Sequence, residues 1–538
     1  MPERISFRLL PFVTIILVAL YPVIALASAN ADEVSLQHIS RSLVASVVLA
    51  ILLLLLVRSV AGDWEKAALI SSVALLLFFS YGHLYQLVKS KEVIGFVVGR
   101  HRYLLLVWIV LLATWAWVVL RVLRNVPAWI GIFTIAAAAA IANPLFSLVG
   151  REAEIRAANA RGENLAYAYE SVPRSVGRDI YYIVLDGYGR QDVLSRIYDL
   201  DNTDFIGFLK SRDFYVAEKS RSNYVQTALS LASSMNLNYV NDLSDTLGED
   251  STNRGPLNAR IHNNFAMEFL ERNGYQLMAF NTGLVATSIE DVDVYLPSED
   301  NPYFRPSLPA TWLLNPIEGL LLETTAVSGL LDLATQLRGS FVGAIADPLY
   351  EVHRARITYT LDAISEVPGM SGDFFVFAHV VAPHPPFVFG SIGEPVNPDR
   401  PYGLFDGSDF LSEGGTTEEY IAGYRDELVY LNTLLEDTID EILARSDPSP
   451  IIVLQSDHGP GAFLNWASAS LSDLEERTSI LNAYHLPDGG VDALYPSISP
   501  VNSFRVIFNH YFDGDFPLLE DRAYFSSANR PYSFVPLE

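Results

Sequence analysis

Not one of the 538 residues is a cysteine. That excludes a disulfide framework and a thiolate zinc site, so any bound metal must be held by oxygen and imidazole nitrogen. Positive charge is scarce as well, with 36 Lys and Arg against 62 Asp and Glu and a formal net charge of −26. The deficit is uneven. The first 150 residues carry 11 basic and 6 acidic side chains, whereas the remainder carries 25 and 56. So acidic a C-terminal part excludes non-specific binding to nucleic acid, and it is repelled by anionic lipid unless cations intervene. The sequence shows no internal repeats and no long low-complexity tract.

The N-terminal part has what the rest lacks, namely long runs without charge. Segments 9–27, 43–60, 67–88, 104–123 and 126–149 are each long enough to cross ~30 Å of hydrocarbon. A cleaved signal peptide would explain the first of them but not the four that follow. The expectation is a transmembrane domain of about five helices over 1–150 and a charged, Ala-rich helical connector over 151–178. A C-terminal domain over 179–538 follows. Arg4 and Arg8 favour a cytoplasmic N-terminus, which places Arg58, Lys66, Arg121 and Arg124 inside as well. The basic loop 89–102 runs against that orientation; it is read as lying on outer headgroups.

From Asp179 onward apolar runs alternate with helical patterns, which predicts helices covering a largely parallel sheet. Strands are expected at 181–185, 275–279, 374–378 and 451–454. A long helix is expected at 418–445, with Tyr420, Tyr424, Leu428, Leu431, Leu435 and Ile439 at spacings of three and four. Segment 311–337 is apolar but carries Glu318, Glu323 and Asp332, which argues against a span. Two readings stand: a helix pair covering the sheet, or an apolar surface resting on the membrane.

The chemistry-bearing residues sit at the ends of these runs. Asp186 follows Ile180-Tyr181-Tyr182-Ile183-Val184-Leu185, and Asp457-His458 follows Ile451-Ile452-Val453-Leu454 closely. Ligands of open α/β sheets bind at the C-terminal ends of such strands. Two carboxylates and an imidazole there suit one divalent cation, Zn²⁺ or Mn²⁺, and do not exclude Mg²⁺. A second metal would need further ligands, and no Asp-x-x-x-His partner is present. Thr227, in Asn223-Tyr224-Val225-Gln226-Thr227, stands where a loop enters a helix, so a cation and the helix N-terminus together would favour its alkoxide. His384 lies between prolines just past a strand, where an imidazole can bind a phosphate or protonate a leaving oxygen. His379, Asn223 and His485 are further candidates for substrate contact. The plain alternatives are a turn residue for Asp186, a helix N-cap for Thr227 and structural roles for the histidines.

The stretches Tyr182-Ile183-Val184-Leu185-Asp186-Gly187, Ser222-Asn223-Tyr224-Val225-Gln226-Thr227, Ala382-Pro383-His384-Pro385-Pro386-Phe387 and Ser456-Asp457-His458-Gly459 resemble the sulfatase-like branch of the alkaline phosphatase superfamily. Lipoteichoic acid synthases and phosphoethanolamine transferases are the nearest likeness. The resemblance implies an alkaline phosphatase/sulfatase-like α/β domain outside a bacterial-type cell membrane. Asp186, Thr227, Asp457 and His458 would ligate one metal, and Thr227 would be the nucleophile. It implies a phospho-group transferase acting on a phosphoglycerol or phosphoethanolamine headgroup, with phospholipid and an envelope glycan or lipid as substrates. Two departures matter. Paired aspartates after the first strand are replaced by Asp186-Gly187, and no Cys- or Ser-containing Pro/Arg motif surrounds Thr227, which argues against sulfate-ester hydrolysis. The transferases usually place Glu where Asp186 stands. A sulfatase- or phosphodiesterase-type hydrolase is the alternative, and an inactive membrane-tethered binding module is a third.

Overall fold

The structure, a computed structural model, describes residues 2–30, 39–88, 92–93, 96–97, 101–166, 176–296, 316–330, 343–398, 400 and 402–537. The chain divides into two units. One comprises Met1–Ala153 with Thr311–Ile345, the other Glu154–Ala310 with Ala346–Glu538.

The first unit is built from helices α1 (Pro2–Ala29), α2 (Ile39–Ala61), α3 (Trp64–Val88), α4 (His101–Arg121) and the part of α5 (Val126–Ala166) up to Ala153. A minimal antiparallel ribbon, β1 (Glu92–Val93) and β2 (Phe96–Val97), stands between α3 and α4. Among the described residues, five helical stretches are long and apolar enough to cross a membrane: Leu9–Ala29, Ile39–Ala61, Trp64–Tyr85, His101–Arg121 and Val126–Arg151. Small residues face inward; Ala19, Ala50, Ala67 and Ala68 are buried, and the Ser46 hydroxyl donates to the Ala19 carbonyl at 2.6 Å. Large ones such as Leu52, Leu56, Ile109 and Phe146 are exposed. Small side chains let helices approach closely, while outward leucines find their match only in lipid. Most of the basic loop 89–102 lies outside the described residues. The expected connector is helical as far as Ala166, because α5 continues that far; 167–175 lie outside the described residues.

Over its described residues, 316–330, the segment 311–337 does not cover the sheet; its helix Pro316–Thr324 packs in the first unit, and 311–315 and 331–337 lie outside the described residues. Ile317 is buried with Val23, Ala27 and Ile39, and Glu318 pairs with Arg41 at 2.7 Å. Glu318 fits this place because the helix is short and lies at the bundle end where α1 finishes and α2 begins; Asp332 lies outside the described residues.

In the second unit seven strands form one sheet. They are β3 (Ile180–Leu185), β4 (Tyr215–Val216), β5 (Gln276–Phe280), β6 (Val294–Leu296), β7 (Phe374–Val380), β8 (Ile451–Ser456) and β9 (Asn482–His485). The order is β4-β9-β8-β3-β7-β5-β6, all pairings parallel except those of β9. The central strands are apolar throughout because both faces are covered. Tyr181, Ile183 and Leu185 pack on one face beneath the helices Gly343–Glu366 and Thr417–Arg445. Ile180, Tyr182 and Val184 pack on the other beneath Thr227–Met235 and Pro500–Tyr511. The helix expected at 418–445 starts one residue earlier, fixed by a capping box between Thr416 and Glu419. The four expected strands are all present. The short strands β4, β6 and β9, and a separate antiparallel hairpin of β10 (Ala523–Ser527) and β11 (Arg530–Leu537), were not expected. Strands of two to four residues, as β4, β6 and β9 are, are too short to show a period.

Candidate metal centre and nucleophile

Because β3, β7 and β8 run parallel and in register, Leu185 pairs with both Val380 and Ser456. The residues that follow therefore emerge together at one edge. Asp186 is anchored by its backbone N–H to the Val380 carbonyl at 3.0 Å, and the chain then turns through Gly187 at φ 81°. Tyr424 secures that turn, its hydroxyl donating to the Gly187 carbonyl and accepting from Gly189 N–H, both at 3.0 Å. Asp457 Oδ1 accepts from the N–H of Gly187 at 3.2 Å and of His458 at 2.9 Å. One oxygen of Asp457 is thus fixed by backbone, while Oδ2 has no partner among the described residues.

His458 completes the set. Its Nδ1 lies 3.0 Å from the Gly459 carbonyl, an acceptor, so the proton sits on Nδ1 and Nε2 presents a lone pair. Burial, and then Arg477, push the imidazole below its usual range against the pull of Asp457 and Asp186. That lone pair lies 3.4 Å from Asp186 Oδ1 and 3.2 Å from Asp457 Oδ2. Asp186 Oδ1 likewise lacks a hydrogen-bond partner. The donor atoms of Asp186, Asp457 and His458 lie within 4.8 Å of one another. All three residues are almost fully buried. Three lone-pair-bearing atoms buried face to face repel one another, and a divalent cation between them turns the repulsion into ligation. Bonds of ~2.0–2.1 Å in a tetrahedron put ligand atoms ~3.3 Å apart. The residues fit a single cation.

Burial would raise the Asp186 carboxyl, but His384, His379 and His458 together outweigh it and hold the group well below the usual carboxylate range. His379, on β7, brings Nε2 to 3.4 Å from Asp186 Oδ2 and turns Nδ1 toward Thr287 Oγ1 at 3.0 Å. It flanks the cluster rather than facing solvent, being 2% exposed.

Thr227 is the first residue of its helix, and Gln226 is the cap, extended and tied through its amide to Ser526. The plain reading of Thr227 as N-cap is therefore corrected. Its Oγ1 stands 3.1 Å from His458 Nε2 and is half-buried, the most open member of the cluster. A helix N-terminus carries partial positive charge, which favours an oxyanion there. His384 is also half-buried. Its Nδ1 lies 2.6 Å from the Pro385 carbonyl, which leaves Nε2 free, 3.9 Å from Asp406 Oδ2. The rings of His384 and His458 are 6.4 Å apart.

Two residues absent from the sequence reading support this arrangement. Asp406 is held by Arg477 at 2.6 Å, Tyr420 at 2.7 Å and the Gly407 N–H at 2.8 Å. Burial pushes its carboxyl up, yet Arg477, His384 and His458 bring it down to about 2. Arg477, 1% exposed, also donates to the carbonyls of Val225 at 2.9 Å and Gly459 at 3.1 Å. It thereby ties together the segments that carry Thr227 and His458. Neither lies in an apolar run or a motif, and nothing in the sequence around them singles them out.

Two candidates are corrected. Asn223 is fully used in structure: its amide N donates to Ser499 and the Arg522 carbonyl, and its oxygen accepts from Val501 N–H. His485 pairs opposite Ile452, near the start of β8, and so sits toward the far edge of the sheet with Nδ1 2.9 Å from the Pro450 carbonyl. The reason is that β9 runs antiparallel, which sends its C-terminal end away from the cluster.

No family model and no curated protein matches the chain. Solved structures do. The zinc complex of the C-terminal periplasmic domain of EptC from Escherichia coli is 11% identical, covering 68% of this chain and 94% of that one at a TM-score of 0.40. The integral membrane lipooligosaccharide phosphoethanolamine transferase A from Neisseria meningitidis is 11% identical, covering 92% and 94% at 0.36. The phosphonate monoester hydrolase of Agrobacterium radiobacter is 14% identical, covering 65% and 80% at 0.41. Identities this low and superpositions this partial leave the chemistry of the site to rest on its own residues.

Proposed function

We propose that this is a membrane-bound, metal-dependent enzyme that transfers a phospho-group from a phospholipid headgroup, phosphoglycerol or phosphoethanolamine, to an envelope glycan or lipid. The observation that carries the reading is the hydroxyl of Thr227 at a helix N-terminus, 3.1 Å from His458 Nε2 and beside two carboxylate oxygens without partners. Asp186, Asp457 and His458, with Thr227, would hold one Zn²⁺ or Mn²⁺ ion. When bound, it would neutralise charge on the phosphoryl oxygens and stabilise the Thr227 alkoxide.

The protein's own groups divide the remaining work. Thr227 Oγ attacks phosphorus, forming a Thr–O–P bond as the bond from phosphorus to the diacylglycerol oxygen breaks. His384, oriented through Nδ1 by the Pro385 carbonyl, gives a proton to that leaving oxygen. An acceptor hydroxyl then attacks phosphorus, His384 takes its proton, and Thr227 is released. Arg477 fixes the loop before Thr227 so that the nucleophile does not drift from the cluster. Five spans with Arg4 and Arg8 inside put the end of α5 outside, and a lipid donor explains why more than one anchoring span is present.

The test is a trapped intermediate. The full-length protein is incubated with headgroup-labelled phospholipid and its peptides are examined by mass spectrometry. The expected result is a headgroup phosphate on Thr227, absent in Thr227→Ala and retained in part in Thr227→Ser. If Thr227 stays unmodified with every phospholipid while a soluble sulfate ester is turned over rapidly, the hydrolase reading replaces this one.

A further inference from the structure

Beside the cluster lies a small cavity that the proposed chemistry does not use. It is lined by Thr282, His353, Arg356, Thr360, His379 and Val381, among others. Thr282 follows the end of β5 and Val381 follows the end of β7, so the cavity opens at the ligand-binding edge of the sheet. His379 is a shared wall, lining the cavity while its Nε2 lies 3.4 Å from Asp186. The free volume is about 10 Å³, room for one water or one oxyanion oxygen.

The lining is cationic, with no acidic member. Arg356, half-buried, has neither a hydrogen bond nor an ion pair among the described residues; the hydroxyls of Tyr402 and Tyr295 and the His353 imidazole are near enough to interact with its charge. Its guanidinium packs over Gly283, whose φ of 84° and missing Cβ leave it the space; a methyl group there would collide with it. His353, 1% exposed, reaches Tyr402 weakly through Nδ1 at 3.4 Å, and its Nε2 makes no well-formed hydrogen bond. Burial, then Arg356, pushes that imidazole down to about 3. An unpaired guanidinium partly out of water is costly unless an anion completes it, and five N–H donors in a planar fork match an oxyanion.

We infer that this cavity is an anion subsite: Arg356, with His353 and Thr360, receives one oxygen of a phosphate- or sulfate-type group of the substrate, distinct from the group that meets Thr227. The inference rests on the transferase reading and deepens it, since the substrate then carries two anionic groups. The lipid donor and the glycan acceptor are both possible sources of the second.

The test titrates inorganic phosphate into the full-length protein in neutral detergent after chelation, so that metal-dependent binding is silent. Wild type is expected to bind saturably and Arg356→Gln to bind roughly tenfold more weakly or worse. Arg356→Lys should recover part of the loss, and Asp457→Asn should bind as wild type does. Melting midpoints of all four check that the fold is intact. Displacement by a short-chain phosphatidic acid assigns the subsite to the donor, and displacement by a sugar phosphate alone assigns it to the acceptor. Wild-type affinity in Arg356→Gln, or no binding to the chelated wild type, overturns the inference. Arg356-dependent binding without metal uptake at Asp457 would instead leave this subsite standing and overturn the metal reading.

Discussion

The two edges of the central sheet use the same residue types differently. At the edge where β3, β7 and β8 end, Asp186 Oδ1, Asp457 Oδ2 and His379 Nε2 are buried without hydrogen-bond partners. At the edge where they begin, Asp179 accepts from Phe374 N–H at 2.9 Å, and His485 is matched to the Pro450 carbonyl. The same acids and imidazoles are thus structural at one edge and unspent at the other. What marks a site here is polar atoms left unsatisfied, rather than a buried histidine or aspartate as such.

The strongest way to break the comparison is to empty the unspent edge. Asp457→Ala/His458→Ala is expected to lose metal altogether, against about one equivalent in wild type, measured by elemental analysis of the purified full-length protein. Full occupancy in the double variant would leave the first edge no different from the second. The next effect concerns support rather than ligation. Arg477→Met strands the Asp406 carboxylate in the interior and should destabilise by about 3–5 kcal/mol. Arg477→Met/Asp406→Leu should cost less than the single change, read by denaturant unfolding in detergent.

A smaller, pH-dependent effect sharpens the same contrast one layer out. Glu427, on the helix Thr417–Arg445, accepts from the N–H groups of Val388 and Phe389 just beyond His384. Burial pushes its carboxyl up to about 8, against those two N–H groups and Arg354. An unfolded glutamate titrates near ~4.3, so the folded state keeps a proton that the unfolded chain has already released between the two values. Its contribution to stability is full below about 4.3 and is lost as pH rises to about 8. Melting midpoints of Glu427→Gln should fall less across that window than those of wild type. An identical slope would mean that the group is ionised throughout. The least effect is expected at the far edge. His485→Gln should leave metal content and adduct formation unchanged and shift stability by about 1 kcal/mol, one hydrogen bond's worth.

The site was legible in sequence where strand and ligand are neighbours. Asp186 and Asp457-His458 each follow a continuous apolar run, and the parallel sheet does the rest. Thr227 was legible as a loop-to-helix residue, although Gln226 turned out to hold the cap. Asp406 and Arg477 were not legible, because their role arises only when the segment after β7 and the short helix Leu474–Thr478 meet. His485 was misplaced because an apolar run does not reveal which way its strand points. The helix Pro316–Thr324 was misplaced because a short amphipathic segment carries no label for the unit it will join.

That helix has a consequence for how the protein is made. The ribosome releases α1 to α5 first, yet the bundle lacks Ile317 against Val23 and Ala27 until the strands from β3 to β6 have been synthesised. The two units are interleaved along the chain. A cut after residue 150 would not free a self-sufficient soluble half; it would carry the helix Pro316–Thr324 along with Ile317 uncovered, an invitation to aggregate.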